Sequence, residues 1–389
     1  HINMIRRDFL KKCGLIAAGT ALTDPFAMAN DLMISPSGDE GNFNVKFRSL
    51  KPQTSKQITV VIIGAGNRGR LYASYAKMFP ENVKVVGGSD ILESRRHDMA
   101  DKHNVPQENR FGHYNEVFTR PKFADAVVIA TPDDRHVEPC LKAMELGYDI
   151  LLEKPAAPTE KECRQILAHS KKYGSIVAVC HVLRYAPYFI ALKAAIDSGM
   201  IGKLVSVQHM EPIQYAHMAH SYVRGNWRNS EETTPIILAK SCHDLDIMRW
   251  LIGSPCKTIT ADGSLHLFKK ENAPEGAPAR CTDGCPHEAT CPYSAIDIYA
   301  RRKRHLGVFD LKDKKDENEI MEKLKTTWYG RCVYHCDNNQ PDHYVANMTF
   351  ADGQTAAFNM EAFTPWGGRR TRVMGTTGFI EGDMKTFTV

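Results

Sequence analysis

The run Gly64-Ala65-Gly66-Asn67-Arg68-Gly69 is the stretch of this 389-residue chain whose spacing points most directly to a chemistry, that of cradling a diphosphate. Gly64 permits a tight turn, Gly66 lets the backbone approach phosphate oxygens, and Gly69 lets a following helix pack closely on the preceding strand. That helix would offer free N–H donors and a partial positive charge at its start, where Asn67 and Arg68 stand. Asp90 lies 24 residues after Gly66. A carboxylate there accepts hydrogen bonds from adenosine ribose hydroxyls and repels a 2′-phosphate, which favours NAD over NADP. Arg95 and Arg96 follow soon after and read as a solvated helix face. Three further polar groups stand out: Thr131-Pro132 with His136, Glu153-Lys154-Pro155, and Cys242-His243-Asp244-Leu245-Asp246 preceded by Lys240. Helical spacing predicts Lys240, His243 and Asp246 on neighbouring positions of one face.

The elements needed to position these residues are legible around them. Ile58 to Ile63 is a continuous β-branched run, the pattern of a strand buried on both faces of a parallel sheet. The glycine turn follows it, and a helix is predicted over 71–79. Strands are predicted at 83–87, 126–130, 149–152 and 176–180, with a helix from Val137 to Leu146 closed by Gly147. In open α/β sheets ligands gather at the carboxyl ends of the strands, and the turn at 64–69, the Thr131 loop and the Glu153 loop all fall there. Gly64, Gly66, Asn67, Arg68, Gly69, Asp90, Thr131, Pro132, His136, Glu153 and Lys154 are therefore the candidate cofactor contacts.

With 43% hydrophobic and 24% charged residues, and only 27 Gly and 20 Pro, disordered, collagen-like and coiled-coil classes are excluded. A length of 389 residues predicts two domains. The net charge of +5 comes without a clustered basic face, which gives no argument for nucleic acid. No apolar run is long enough to predict a membrane span. Residues 1–29 read as a leader: Arg6-Arg7-Asp8-Phe9-Leu10-Lys11, a modest apolar stretch, then Ala27 and Ala29. That order resembles a twin-arginine signal peptide and predicts export to the periplasm. Residues 30–55, rich in Ser, Gly, Asp and Asn, read as a linker.

Taken together, Gly64 to Gly69, Asp90, Thr131-Pro132 with His136, Glu153-Lys154-Pro155 and Cys242 to Asp246 resemble the glucose-fructose oxidoreductase, inositol dehydrogenase and rhizopine-catabolism (Gfo/Idh/MocA) family. The resemblance covers residues 56 to 389. It implies an α/β Rossmann domain with a parallel sheet at 56–180, followed at 181–389 by an α+β domain whose open, mainly antiparallel sheet carries the substrate and contributes to a dimer or tetramer. Relatives continue beyond a strand like 378–382, so this second domain is expected to lack its last elements. One departure is clear: inositol dehydrogenase-like members usually carry an Asp four residues before the catalytic His, and Ala239 stands there, next to Lys240.

The resemblance implies an NAD-dependent oxidoreductase acting on a sugar, polyol or sugar derivative. Hydride transfer from a carbinol carbon leaves an O–H proton to be removed, so a base must stand within hydrogen-bond reach of that oxygen. Lys154 and His243 are the candidates, with Lys240 or Asp246 as a partner of His243. Aromatic faces and planar donors suit a sugar, which brings in Arg184, Tyr185 and Trp227. A different chemistry uses the same residues: a glycoside hydrolase or lyase in which bound NAD oxidises a hydroxyl transiently and is regenerated. A binding protein with a vestigial cofactor site is the third reading.

Five cysteines concentrate late in the chain, Cys281, Cys285, Cys291, Cys332 and Cys336. Three of the first group with Cys332 or Cys336 would satisfy tetrahedral Zn²⁺, and disulfides in an oxidising compartment are an equal alternative. Cys140, Cys163, Cys180 and Cys256 read as buried small apolar residues. The run from Leu311 to Lys325 alternates in sign and predicts an exposed helix.

Overall fold

The computed structural model describes residues 57–389, together with the backbone of β1 (Leu32–Pro36) and β2 (Phe43–Phe47), which pair antiparallel. The expected leader at 1–29 lies outside the described residues. The chain divides into two compact units, one of residues 50–182 and one of residues 183–389, with which the β1–β2 pair is grouped.

In the first unit β3 (Ile58–Ile63) leads through the glycine turn into α1 (Asn67–Met78) and on to β4 (Val83–Ser89). After α2 (Glu93–Lys102), β5 (Arg110–Phe111) and α3 (Tyr114–Val117), the chain crosses back to β6 (Ala126–Ile129). It continues through α4 (Val137–Glu145), β7 (Asp149–Leu152), α5 (Glu160–Tyr173) and β8 (Val177–Val179). The six strands run in the order β5-β4-β3-β6-β7-β8 with every pairing parallel. Burial explains the β-branched run: Val61, Ile62 and Ile63 are fully buried, because helices cover both faces of the sheet. The strand order reverses between β3 and β6, and a crevice opens at such a switch point. Gly64 and Thr131 follow those two strands.

The second unit starts with α6 (Pro187–Asp197), followed by β9 (Leu204–Gln214), α7 (Tyr215–Met218), α8 (Ile236–Ala239) and α9 (Cys242–Ile252). Next come β10 (Cys256–Ser264), α10 (Glu317–Thr326) and β11 (His343–Phe350). Four strands complete it: β12 (Thr355–Thr364), β13 (Arg370–Gly375), β14 (Phe379–Gly382) and β15 (Phe387–Thr388). Seven of these strands form one sheet in the order β10-β11-β12-β9-β13-β14-β15, and only β12 with β9 is parallel. The sheet is open and mainly antiparallel, as expected from the sequence. Along β11 Tyr344, Ala346, Met348 and Phe350 are buried while His343 and Val345 are exposed, so one face lies on the core and the other faces outward.

Two local expectations need correction. The helix predicted at 311–325 begins only at Glu317, where Asp316 caps it, and Ile320 and Leu324 are fully buried, so its apolar stripe belongs to the core. Lys240 does not share a helix with His243. It ends α8 with φ −118°, and α9 starts afresh at Cys242.

Candidate active site

The glycine turn has the geometry its sequence predicts. Gly64 has a φ of +90°, and a Cβ there would lie 2.6 Å from the Ala130 carbonyl oxygen. A Cβ on Gly69 would lie 1.9 Å from the Gly64 oxygen, so these two glycines are required by the fold itself. Gly66 differs: it has an ordinary φ of −70°, and its Cβ position is open, with only the Arg95 Nη1 within 4 Å, at 3.9 Å. This free space beside backbone donors at a helix start is the cradle a diphosphate needs, and a Cβ would fill it. Asp90 sits at its edge, accepting from the Ala65 N–H at 2.8 Å and the Leu92 N–H at 2.9 Å. Each of its oxygens keeps a lone pair for a ribose hydroxyl. The residues fit NAD.

Several candidates from the sequence are engaged within the domain. Arg68 Nε donates to Glu153 Oε1 at 2.5 Å, and the Tyr72 hydroxyl donates to the same oxygen at 2.6 Å. Glu153 Oε2 accepts the Lys154 N–H at 2.8 Å. Burial alone would raise the Glu153 carboxyl, but the bonds from Tyr72 and Arg68 outweigh it and hold the group below the ordinary carboxylate range. Glu153 thus ties the glycine-turn helix to the start of the Lys154 loop. His136 is fully buried, with Nδ1 at 2.8 Å from the Pro155 oxygen and Nε2 at 3.0 Å from the Thr131 oxygen, so it joins the two loops after β6 and β7. The Thr131 hydroxyl donates to the Arg135 oxygen, and Pro132 is exposed. Asn67 is exposed and accepts from Arg70. Lys154 is half-buried, two residues past the end of β7.

In the second unit His243 is half-buried in the first turn of α9. Lys240 is paired with Glu211, Nζ to Oε1 at 3.2 Å, and its side chain is 19% exposed against 2% for Glu211. Behind them lies a buried network that the sequence did not reveal. Arg369 bonds Asp244 Oδ1 at 2.8 Å, Asp244 Oδ2 at 3.1 Å and Glu211 Oε1 at 2.7 Å, while His209 Nε2 lies 2.9 Å from Asp244 Oδ1. Ser241 donates to Glu211 Oε2 at 3.0 Å and also meets the Tyr344 hydroxyl. Burial opposes ionisation of Asp244, yet Arg369 and His209 override it and push its carboxyl far below the usual range. Glu211 moves the other way, raised by burial and by the neighbouring Asp244. Asp244 anchors α9 at the residue after His243, so the network fixes the turn that carries the imidazole. Asp246 is bound by Arg184 through two bonds of 2.7 and 2.6 Å, so these two candidates hold each other. Tyr185 is exposed, and Trp227 is half-buried beside Tyr222 at a ring distance of 6.2 Å.

The late cysteines form neither the zinc centre nor the disulfides that their sequence left as equal alternatives. Among the described residues no group of three or more His, Cys, Asp or Glu is arranged to hold a metal, and the ten described cysteines are free thiols. Cys281 instead faces a cation the fold already contains. Arg224 is fully buried, with Nη2 at 3.7 Å from Cys281 Sγ and 2.7 Å from the Tyr293 oxygen, and Nε donating to the Arg331 oxygen. A second cation would be repelled from that position. Burial pushes the Cys332 thiol up to about 11 despite this guanidinium. Cys140 and Cys180 are buried as predicted, but Cys163 and Cys256 are exposed.

Comparison with known proteins agrees with this architecture. Residues 58–181 match the model of the oxidoreductase family, NAD-binding Rossmann fold, and residues 193–388 match that family's C-terminal alpha/beta domain. The scyllo-inositol 2-dehydrogenase (NAD(+)) of Bacillus subtilis is 27% identical over 209 residues, covering 54% of this chain and 58% of that protein. Inositol 2-dehydrogenase 2 of Saccharopolyspora erythraea is 32% identical over 139 residues, 35% of this chain and 38% of the relative. The chain thus spans less than two thirds of the length of these relatives. Among solved structures, the WlbA dehydrogenase from Chromobacterium violaceum, in complex with NADH and UDP-GlcNAcA, superposes with a TM-score of 0.60 at 14% identity, covering 87% of this chain and 78% of that one. Apo scyllo-inositol dehydrogenase from Lactobacillus casei gives 0.59 at 16% identity, with 85% and 76% covered. At such identities the superpositions show a shared fold.

Proposed function

The chain belongs to the Gfo/Idh/MocA oxidoreductase family, with its NAD-binding Rossmann fold and C-terminal alpha/beta domain, and from that premise we propose an NAD-dependent oxidoreductase that acts on a sugar, polyol or sugar derivative. The observation that carries the proposal is the open backbone at Gly66 with the Asp90 carboxylate at its edge, a cradle suited to a dinucleotide without a 2′-phosphate. Inositol dehydrogenases among the relatives support the polyol class of substrate.

Bound NAD supplies the hydride acceptor. Lys154, in the first unit, is proposed to orient a substrate hydroxyl, and His243, in the second, is proposed as a base whose ring nitrogen takes a hydroxyl proton. Glu153 fixes the Lys154 backbone through its N–H, and His136 ties the Pro155 carbonyl to the Thr131 loop. Asp244, clamped by Arg369 and His209, holds the first turn of α9 and with it His243. Ala239 stands where the family resemblance places a carboxylate, and Lys240, paired with Glu211, is proposed as the partner of His243 in its place. The protein is further proposed to be exported by the twin-arginine route, on the residues at 6–11, and to assemble as a dimer or tetramer.

The test is a panel of sugars, polyols and their glycosides, followed by nicotinamide absorbance and by product release. NADH accumulating in step with an oxidised product is the expected result. Release of an aglycone without net NADH would replace net oxidation by the redox-neutral cleavage, and silence across the panel would count against both.

A further inference from the structure

Arg95 stands in the first turn of α2. It is half-buried, and its Nη1 is the only heavy atom near the open Cβ position of Gly66, at 3.9 Å. Among the described residues it has no hydrogen-bond or ion-pair partner, whereas Arg96 next to it donates to the Asp90 backbone oxygen at 2.7 Å and Arg70 pairs with Asp98 at 3.8 Å. A guanidinium without a protein partner among the described residues, held beside the backbone donors at the start of α1, is set up to grip a phosphate from its open side. The choice between the two phosphate positions of a dinucleotide follows from Asp90. Its carboxylate lies against the Ala65 N–H, at the ribose end, where it repels a 2′-phosphate. The phosphate left for Arg95 is the diphosphate linkage above Gly66.

We propose that Arg95 is a clamp on the cofactor diphosphate that slows dissociation of the dinucleotide, making the cofactor long-lived on the protein. This rests on the NAD reading above and adds a residue and a kinetic consequence to it. Backbone N–H groups hold one side of the diphosphate, and the Arg95 fork closes the other with charge-assisted bonds.

The experiment is stopped-flow displacement of NADH from the full chain, with NADPH in parallel, for the wild type, Arg95→Met and Arg95→Lys. Charge-assisted bonds of this kind predict that Arg95→Met releases NADH about tenfold faster, with the association rate nearly unchanged. Arg95→Lys should restore part of the loss, because it keeps the charge but not the planar fork. An NADH release rate within twofold of wild type in Arg95→Met overturns the clamp while leaving NAD binding intact. A loss confined to NADPH assigns Arg95 to a 2′-phosphate and also overturns it. No NADH binding by the wild type would overturn the NAD reading and the clamp together.

Discussion

Alanine at Gly66 and alanine at Gly69 should have opposite consequences, although both positions belong to one turn. At Gly69 the added methyl would stand 1.9 Å from the Gly64 oxygen, 3.0 Å from the Gly64 carbonyl carbon and 3.1 Å from Ile62 Cγ2. Backbone on one side and a fully buried Ile on the other cannot yield cheaply, so α1 must withdraw from β3. Overpacking of this kind costs about 1–3 kcal/mol, which lowers the melting temperature by roughly 3–10 °C. At Gly66 the nearest atom is the flexible end of Arg95 at 3.9 Å, and φ is −70°, so alanine fits. Replacing a helix N-cap glycine by alanine costs at most about 1 kcal/mol. The methyl then occupies the diphosphate space, and a steric penalty of about 1–3 kcal/mol weakens NAD by roughly five- to 150-fold. Differential scanning calorimetry and isothermal titration with NAD on both variants separate the two effects. Unchanged NAD affinity in Gly66→Ala would refute a diphosphate above that residue, and an unchanged melting temperature in Gly69→Ala would refute the packing argument.

Other expectations follow from the same geometry. Lys154→Ala and His243→Ala should each lower kcat by about 10²–10⁴-fold, the range of a lost acid–base group, while His243→Ala binds NAD with near wild-type affinity in a titration. Arg369→Met strands Asp244 and Glu211 as buried carboxylates without their shared cation, which should remove about 3–5 kcal/mol in denaturant unfolding. His220 is depressed to about 3 by burial, with His305, His217 and Arg224 adding to the effect. The unfolded chain therefore binds a proton that the folded one refuses, so stability is complete above about 6.5 and falls by up to about 1.4 kcal/mol per pH unit toward 3. His220→Gln should flatten that slope in a pH series of melts. Dialysis against a chelator should leave the melting temperature unchanged, because Arg224 and not a metal faces Cys281.

What was legible in the sequence was local. The β-branched run before Gly64, the three glycines and the apolar stretches before Thr131 and Glu153 each declare a strand end within a few residues, and the parallel sheet places them as expected. The Glu211, Asp244, Arg369 and His209 network was not legible, since its members come from β9, α9 and the segment before β13, up to 158 positions apart in Glu211 and Arg369. Nothing near any of them marks a buried charge. Glu153 and His136 flank the strand ends at which the sequence predicts cofactor contacts. Their bonds to Arg68, Tyr72, Pro155 and Thr131 show that the same location also demands residues that tie loops together. The cysteine spacing suggested a metal because sequence shows ligands but not Arg224, which comes from 57 residues before Cys281.

The most direct test of the account is deuterium transfer. Incubating the protein with NAD and a carbohydrate mixture deuterated at carbon, then weighing the reisolated dinucleotide by mass spectrometry, should show a deuterium on the nicotinamide ring that disappears in His243→Ala. Substrate consumed with no deuterium on the reisolated nicotinamide would contradict net oxidation of the substrate, and with it the central claim.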